Sequence, residues 1–240
     1  MSKALVIIPT YNERENVEAI IRAVFALPEP LEVLIVDDGS PDGTANIVRQ
    51  LQETHFPGTL HLLERSGKLG LGTAYIAGFR WGLARDYAYI FEMDADFSHD
   101  PNDLLRLLAA CRDDGADVSV GSRYCRGGKL ENWPWDRIVL SRGASMYTSL
   151  ILWMPVADPT AGFVCYRREV LETMNLNNIR FIGYAFQVEM KYTAYRLGFR
   201  IKEVPITFKD REKGQSKMSL HIIREAMLGV FQMRFRSYSN

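Results

Sequence analysis

The sequence predicts an α/β protein: one domain on a mostly parallel, mixed sheet flanked by helices, with amphipathic helices toward the C-terminal end. Three observations carry that expectation. Short apolar runs alternate with helically spaced apolar residues through the first half of the chain, as in parallel strands joined by crossover helices. Polar clusters follow three of the apolar runs, at the strand carboxyl ends where open α/β sheets bind ligands. No internal repeat, low-complexity tract or Pro/Gly-rich linker divides residues 1–240, so they are expected to fold as one unit.

Leu5–Ile8 is the first strand candidate, and Asn12 with Glu15 three residues later has the spacing of a capping box. Val17, Ile20, Ile21 and Val24 then follow helical spacing. Leu31–Val36 is the second strand, ending in Asp37-Asp38-Gly39-Ser40-Pro41-Asp42-Gly43, and Ala45, Ile47, Val48 and Leu51 mark the next helix. Leu60–Leu63 is a third strand, Gly67–Gly72 a glycine-rich turn opening another helix, and Tyr89–Met93 a fourth strand running into Asp94. The second half is less regular: a strand at Asp117–Gly121, helices at Ser141–Met154 and Ala185–Leu197, an extended stretch at Phe199–Phe208, and a last helix near Leu220–Phe235.

Composition narrows the function classes. Hydrophobic residues at 47% and charged residues at 24% exclude a disordered or fibrous chain. The three cysteines, Cys111, Cys125 and Cys165, lack metal-site spacing and read as reduced thiols of a cytosolic protein. No apolar run approaches the roughly 20 residues that cross a bilayer, and the N-terminal run is too short for a secretory signal. Net charge is zero but uneven, with 10 Lys+Arg against 19 Asp+Glu in residues 1–120 and 19 against 10 in residues 121–240. The acidic half suits a cation, and the basic half suits anions such as phosphates or a lipid surface. Nucleic acid is excluded by the zero net charge and the lack of a binding motif.

Asp94-Ala95-Asp96 carries the most chemistry. In extended backbone, side chains at i and i+2 project to one side, so both carboxylates can face one ion. Mg²⁺ takes one or two carboxylates and completes its shell with water and substrate phosphates, which suits a cation carried by a nucleotide diphosphate. At the second strand end, Asp38 can accept hydrogen bonds from a base or ribose, while Gly39–Gly43 supplies turn chemistry. The glycines of 67–72 match neither dinucleotide nor P-loop spacing, and the first strand ends in Pro9-Thr10-Tyr11, which removes a nicotinamide enzyme. Basic residues gather at Arg123, Arg126, Lys129, Arg137 and Arg142 and again at Lys209, Arg211, Lys213 and Lys217, and arginine suits bidentate phosphate recognition. Gly214 and Ser216 give the second cluster the makings of a loop that closes over a diphosphate. The four histidines lack metal-ligand spacing, and His99 is assigned no role.

These residues resemble a known family. Val6–Glu13, Val36–Thr44 and Met93–Asp96 resemble the family 2 glycosyltransferases of GT-A (Rossmann-like) fold. Gly121–Tyr124, Asn132-Trp133-Pro134, Asp158–Phe163 and Gly214–Lys217 are similar to the dolichol-phosphate (polyprenol-phosphate) mannose synthases, in order over residues 4–217. The resemblance implies inverting transfer of mannose from GDP-mannose to a polyprenyl phosphate, with Mg²⁺ or Mn²⁺ as cofactor. It implies nucleotide contacts at Pro9, Tyr11, Glu13 and Asp38, and a ribose–diphosphate and metal role for Asp94 and Asp96. Arg123, Arg137 and Ser141 would grip the acceptor phosphate, and Arg211 and Lys217 the donor diphosphate; Asp96, Arg123 and Arg137 would act closest to the chemistry. Residues of about 1–120 would then form the nucleotide-sugar half, about 121–217 the acceptor half, and 218–240 a C-terminal helix.

Two departures stand out. The glutamine that some relatives carry two residues after the second aspartate is Ser98 here. Some relatives also carry C-terminal transmembrane helices, so peripheral contact with the cytoplasmic face of a membrane is expected from Ser141–Met154 or Leu220–Arg236. The motifs leave open a synthase using UDP-glucose or another donor, and a non-catalytic nucleotide-sugar-binding subunit. No protein partner is evident.

Overall fold

Apolar β-branched runs bounded by turn residues become the centre of a seven-stranded sheet. A computed structural model of the chain describes residues 3–210 and 220–236. Strands β1 (Lys3–Thr10), β2 (Leu31–Asp37), β3 (Leu60–Glu64) and β4 (Tyr87–Glu92) are mutually parallel in the order β3-β2-β1-β4. The reversal of strand order at β1 and β4 opens a crevice at their carboxyl ends, the usual ligand position in such sheets.

The helices α1 (Val17–Phe25), α2 (Thr44–Thr54), α3 (Leu71–Leu83) and α4 (Asp103–Arg112) connect or follow these strands. Alternation along β1 sends Val6 and Ile8 to a core with α1 and α4, and Leu5 and Ile7 to a core with α3 and α7 (Tyr184–Arg196). Burial on both faces explains why the central strands read as continuous apolar runs rather than alternating ones. The capping box does not form where its spacing placed it. Asn12 is left-handed (φ 61°), its backbone N–H goes to Ser40 Oγ, and the helix begins only at Val17.

The second half departs further from the sequence reading. Strand β5 (Val118–Ser122) does not sit beside β4, because a four-residue strand, β7 (Val164–Arg167), pairs antiparallel with both. Only four residues long, β7 gives little periodicity to detect. It makes the sheet mixed, and β8 (Ile201–Pro205) then closes the edge parallel to β5. The extended stretch at 199–208 divides into β8 and β9 (Thr207–Lys209), and β9 pairs with β6 (Lys129–Glu131) in a small second sheet. A short helix, α6 (Arg168–Thr173), follows β7.

Helix α5 (Trp135–Leu152) starts six residues before the predicted Ser141 and is inverted in polarity. Its buried residues are Ser145, Thr148 and Leu152, while Val139, Met146 and Leu150 are exposed between Trp135 (77% exposed) and Trp153 (75% exposed). These five exposed residues share one side of the helix by their spacing. α8 (Leu220–Arg234) packs beside α5 and adds exposed Met227, Leu228 and Phe231, with Phe235 just beyond it. The Arg234 guanidinium lies 5.4 Å from the Trp153 ring centre, joining the two apolar surfaces.

α3 approaches the sheet closely through glycine. A Cβ on Gly78 would stand 2.7 Å from Ile7 Cγ2, inside contact distance of a strand that cannot retreat. Gly78→Val is expected to lower stability by about 1–3 kcal/mol through overpacking, more than the ~0.4 kcal/mol of helix propensity it gains. A urea midpoint equal to that of the unsubstituted protein would contradict this packing.

Candidate active site

The strand ends β1, β2 and β4 place three polar segments along one edge. Thr10 Oγ1 donates to Asp37 Oδ1 at 2.9 Å, and Asp37 also accepts from the Ser40 N–H (2.8 Å) and hydroxyl (2.6 Å). Asp37 is thus the staple of the turn. Asp38, also buried, receives a two-pronged contact from Arg65 (2.7 and 3.2 Å) and the Leu69 N–H at 3.3 Å. Arg65 continues to Thr73 Oγ1 at 2.9 Å, so Asp38 ties the glycine-rich turn to β2. Pro9 is half-buried, Tyr11 is exposed with Lys68 Nζ 4.6 Å from its ring centre, and the Glu13 N–H bonds Thr44 Oγ1 at 3.1 Å.

Asp94 and Asp96 are half-buried on either side of buried Ala95. Tyr75 donates to Asp94 Oδ1 at 3.4 Å, and the Ser98 N–H donates to Asp96 Oδ1 at 3.0 Å. Burial pushes the Tyr75 hydroxyl far above its ordinary pKa, and the carboxylates of Asp94, Glu92 and Asp96 add to the shift. It therefore stays protonated, a donor held in the negative field of three carboxylates. Phe97 is left-handed (φ 58°), which turns the chain sharply after the acidic pair. Among the described residues no three His, Cys, Asp or Glu side chains gather as a metal site. The two carboxylates are hard oxygen donors, and that donor set fits a magnesium-like ion that completes its shell with substrate oxygens and water. The Ser98 hydroxyl is buried with no hydrogen-bond partner among the described residues.

The other pole lies at the end of β5. Arg123 donates from Nε and Nη2 to the two Asp158 oxygens, each at 2.7 Å, and its N–H reaches Asp158 Oδ2 at 3.0 Å. Burial alone would raise the Asp158 carboxyl, but the Arg123 charge and hydrogen bonds outweigh it and hold the group below its usual range. Arg123 Nη2 also donates to Thr160 Oγ1 at 2.8 Å. Arg137 pairs with Asp210 at 2.7 Å and stacks 3.9 Å from the Trp133 ring centre, and Tyr124 donates to Ser141 Oγ at 2.7 Å. The buried Trp133 Nε1–H has no partner among the described residues. Burial opposes the charge of Arg123, but Asp158, and to a smaller degree Asp94, favour it and raise its pKa. Arg211 and Lys217 lie outside the described residues.

The sequence reading missed what lies beneath. Glu92, the last residue of β4, accepts from Gln187 Nε2 at 2.6 Å, and Lys191 Nζ donates to Gln187 Oε1 (3.2 Å) and to the carbonyls of Gln187 (2.9 Å) and Ala161 (2.6 Å). Burial lifts the Glu92 carboxyl to about 7, against the pull of Lys191, and lowers the Lys191 ammonium to about 8. A glutamate inside the apolar run Tyr89–Met93 was the one available signal. Asp158 stood in a recognised motif, but its partner 35 residues away was not legible.

The sheet order, the acidic pair and the arginine pole define a nucleotide-sugar transferase architecture, and the chain belongs to glycosyl transferase family 2, whose profile matches residues 5–174. It is 49% identical over 234 residues to a polyprenol monophosphomannose synthase of Mycolicibacterium smegmatis, covering 98% of this chain and 88% of that one. It is 48% identical over 229 residues to an undecaprenyl-phosphate mannosyltransferase of Micrococcus luteus, covering 95% and 92%. Its fold matches that of a mannosyltransferase from Pyrobaculum calidifontis solved with GDP-Man and Mn²⁺, with TM-score 0.60 at 20% identity over 93% of this chain and 60% of that one.

Arg123→Ala strands the buried Asp158 carboxylate and is expected to cost about 3–5 kcal/mol at neutral pH, read from urea unfolding. With its folded pKa lowered, Asp158 contributes stability above the unfolded carboxylate value of about 3.9 and loses it as pH falls through the folded value. The deficit of the variant should therefore shrink in acid, and a deficit constant down to the acid transition would contradict the ion pair.

Proposed function

We propose that this protein transfers mannose from GDP-mannose to a polyprenyl phosphate, with inversion at the anomeric carbon, giving polyprenyl-phosphate mannose. The observation that carries the reading is the pairing of the Asp94 and Asp96 carboxylates at the β4 end with an arginine-and-hydroxyl pole at the β5 end. The names of the two relatives near half identity support mannose and a polyprenyl phosphate. The donor seen in the Pyrobaculum calidifontis enzyme supports GDP-mannose.

A phosphate monoester, with a second pKa near 6, is already largely dianionic at neutral pH. Its oxygen attacks the anomeric carbon opposite the leaving group. The new C–O bond forms as the bond to the β-phosphate oxygen breaks, and the electron pair leaves with GDP. No proton has to be removed from the nucleophile, so no general base is required. The enzyme's task is alignment and charge neutralisation. In this reading Pro9, Tyr11, Glu13 and Asp38 form the nucleotide side, with Asp38 fixing the glycine-rich turn through Arg65. Asp94 and Asp96 would hold Mg²⁺ or Mn²⁺, which would supply charge neutralisation at the departing diphosphate. Arg123, Arg137 and Ser141 receive the acceptor phosphate, Trp133 Nε1–H is a further donor on that side, and Arg211 and Lys217 attend the donor diphosphate.

The acceptor's lipid places the protein at a membrane. Among the described residues no helix is long and apolar enough to cross one. The exposed apolar side of α5, continued by α8, lies flat along the interface in this reading, with its tryptophans at either end and Arg142 and Arg234 toward headgroups. The same helix carries Arg137 and Ser141, so the lipid phosphate need not leave the interface to reach them. We place the protein peripherally on the cytoplasmic face, consistent with three free cysteines.

Incubation with Mg²⁺ or Mn²⁺, labelled GDP-mannose and a polyprenyl phosphate should yield labelled lipid, and Asp96→Ala should slow this by about 10²–10³-fold. Label entering lipid from UDP-glucose and not from GDP-mannose would overturn the donor assignment. Met146→Asp with Leu150→Asp should weaken sedimentation with anionic vesicles by more than about tenfold, since each apolar side chain contributes about 1.5–3 kcal/mol when buried. Turnover of a short, water-soluble polyprenyl phosphate should persist in that variant. Unchanged vesicle binding would remove α5 from the interface.

A further inference from the structure

Lys191 is fully buried on α7, yet the reaction just described makes no use of it. A buried ammonium is costly unless paired and hydrogen-bonded, and this one is directed at particular backbone. Its shortest contact, 2.6 Å, is to the carbonyl of Ala161. Ala161 belongs to the turn 158–161, closed by its own N–H to the Asp158 carbonyl at 3.3 Å. That turn carries Asp158 and Thr160, the two residues that hold the Arg123 guanidinium. Glu203 of β8 supports the turn from the opposite side, accepting the N–H groups of Ala157 (2.8 Å) and Asp158 (3.0 Å). One helical turn before Lys191, Gln187 takes its 3.2 Å contact from the ammonium and donates to Glu92, two residues ahead of Asp94. α7 therefore touches both poles of the site from below, and Lys191 is the junction.

We infer that Lys191 is a positioning residue for the acceptor side: it holds the 158–161 turn, and through it the Arg123–Asp158 pair, in fixed register with the Glu92 end of β4. The inference rests on the reading that the arginine pole receives the acceptor phosphate. Loss of the ammonium frees the Ala161 carbonyl and removes the positive charge that faces Asp158 alongside Arg123. The guanidinium then loses its fixed orientation, and the acceptor is affected before the nucleotide, whose proposed contacts Pro9, Tyr11, Glu13 and Asp38 lie at the ends of β1 and β2.

Lys191→Met keeps length and apolar bulk without the charge. In folded variant protein, judged by circular dichroism and a cooperative melt, the acceptor KM should rise about tenfold or more while the affinity for GDP stays within about twofold, the scale on which supporting contacts act. Unchanged acceptor kinetics overturn the inference, as does an equal loss in GDP affinity and turnover, which marks general structural damage. Arg137→Ala separates the two levels. If it raises the acceptor KM and Lys191→Met does not, the positioning role fails alone. If Arg137→Ala leaves the acceptor KM unchanged, the acceptor assignment fails, and the inference with it.

Should Lys191→Met not fold, the unsubstituted enzyme decides. The charged groups facing the ammonium are Glu92 from β4, Asp158 from the turn, Arg123 from the end of β5 and Glu203 from β8. Burial leaves Lys191 titrating at about 8, so its charge is present below that value and is lost as pH rises through it. Acceptor kcat/KM should fall across that range while GDP affinity holds. The acceptor phosphate, already dianionic there, supplies no opposing trend. An acceptor profile flat through this window overturns the role.

Discussion

The buried Arg123–Asp158 pair is the contact around which the β5 end of the sheet is arranged. Asp158 is wholly buried, and removing such a carboxylate from water costs several kcal/mol before any compensation. Arg123 compensates with its backbone N–H, Nε and Nη2, so the carboxylate is matched in both charge and geometry. The pair constrains its neighbours in turn. Thr160 is drawn to the same guanidinium and lies 3.3 Å from Ser145 of α5, so the pair's surroundings reach the helix that faces outward. The antiparallel insertion of β7 makes this possible. It spaces β5 away from β4 and brings the 158–163 segment between the two strand ends.

Across the sheet edge the protein separates charge by sign. Carboxylates collect after β4 and the basic pole forms after β5, with a protonated tyrosine and the buried Glu92 and Lys191 between and beneath. Glu92 and Lys191 are each shifted by burial toward the neutral form, and each is drawn back by the other's charge. Such an arrangement suits a reaction between two phosphorylated partners. Each brings its own negative charge, and neither needs a side chain to take a proton.

Helix α5 serves two environments. Two of its buried residues, Ser145 and Thr148, are small and polar, and Ser145 lies 3.3 Å from Thr160 of the Asp158 turn, while the exposed Trp135, Val139, Met146 and Leu150 are large and apolar. A soluble helix normally has the reverse polarity. The inversion is consistent with an enzyme whose acceptor is an amphiphile, because one helix then carries Arg137 and Ser141 beside a large apolar surface.

Most of the first half of the chain was legible in the sequence. Both-faces burial writes β1, β2 and β4 as apolar runs, and the polar residues that follow them mark the ligand edge directly, since both signals are local. The capping box at Asn12 and Glu15 misled because tertiary contact won: Ser40 captures the Asn12 N–H and the chain turns left-handed before the helix starts. The motif residues Asp94, Asp96, Arg123, Arg137 and Ser141 were identifiable by type and order. What each one touches was not. Arg123 and Asp158 are 35 residues apart, and Glu92 and Gln187 are 95 apart. No local pattern encodes contacts at those separations, which exist only once the sheet has its order. The sequence by itself determined the strands of the first half, the polar edge that follows them and the residue types placed there. The tertiary structure alone decided which of those charges are buried together, because the energy of a charge depends on its distance from solvent and from its partner, and neither is a property of the chain before it folds.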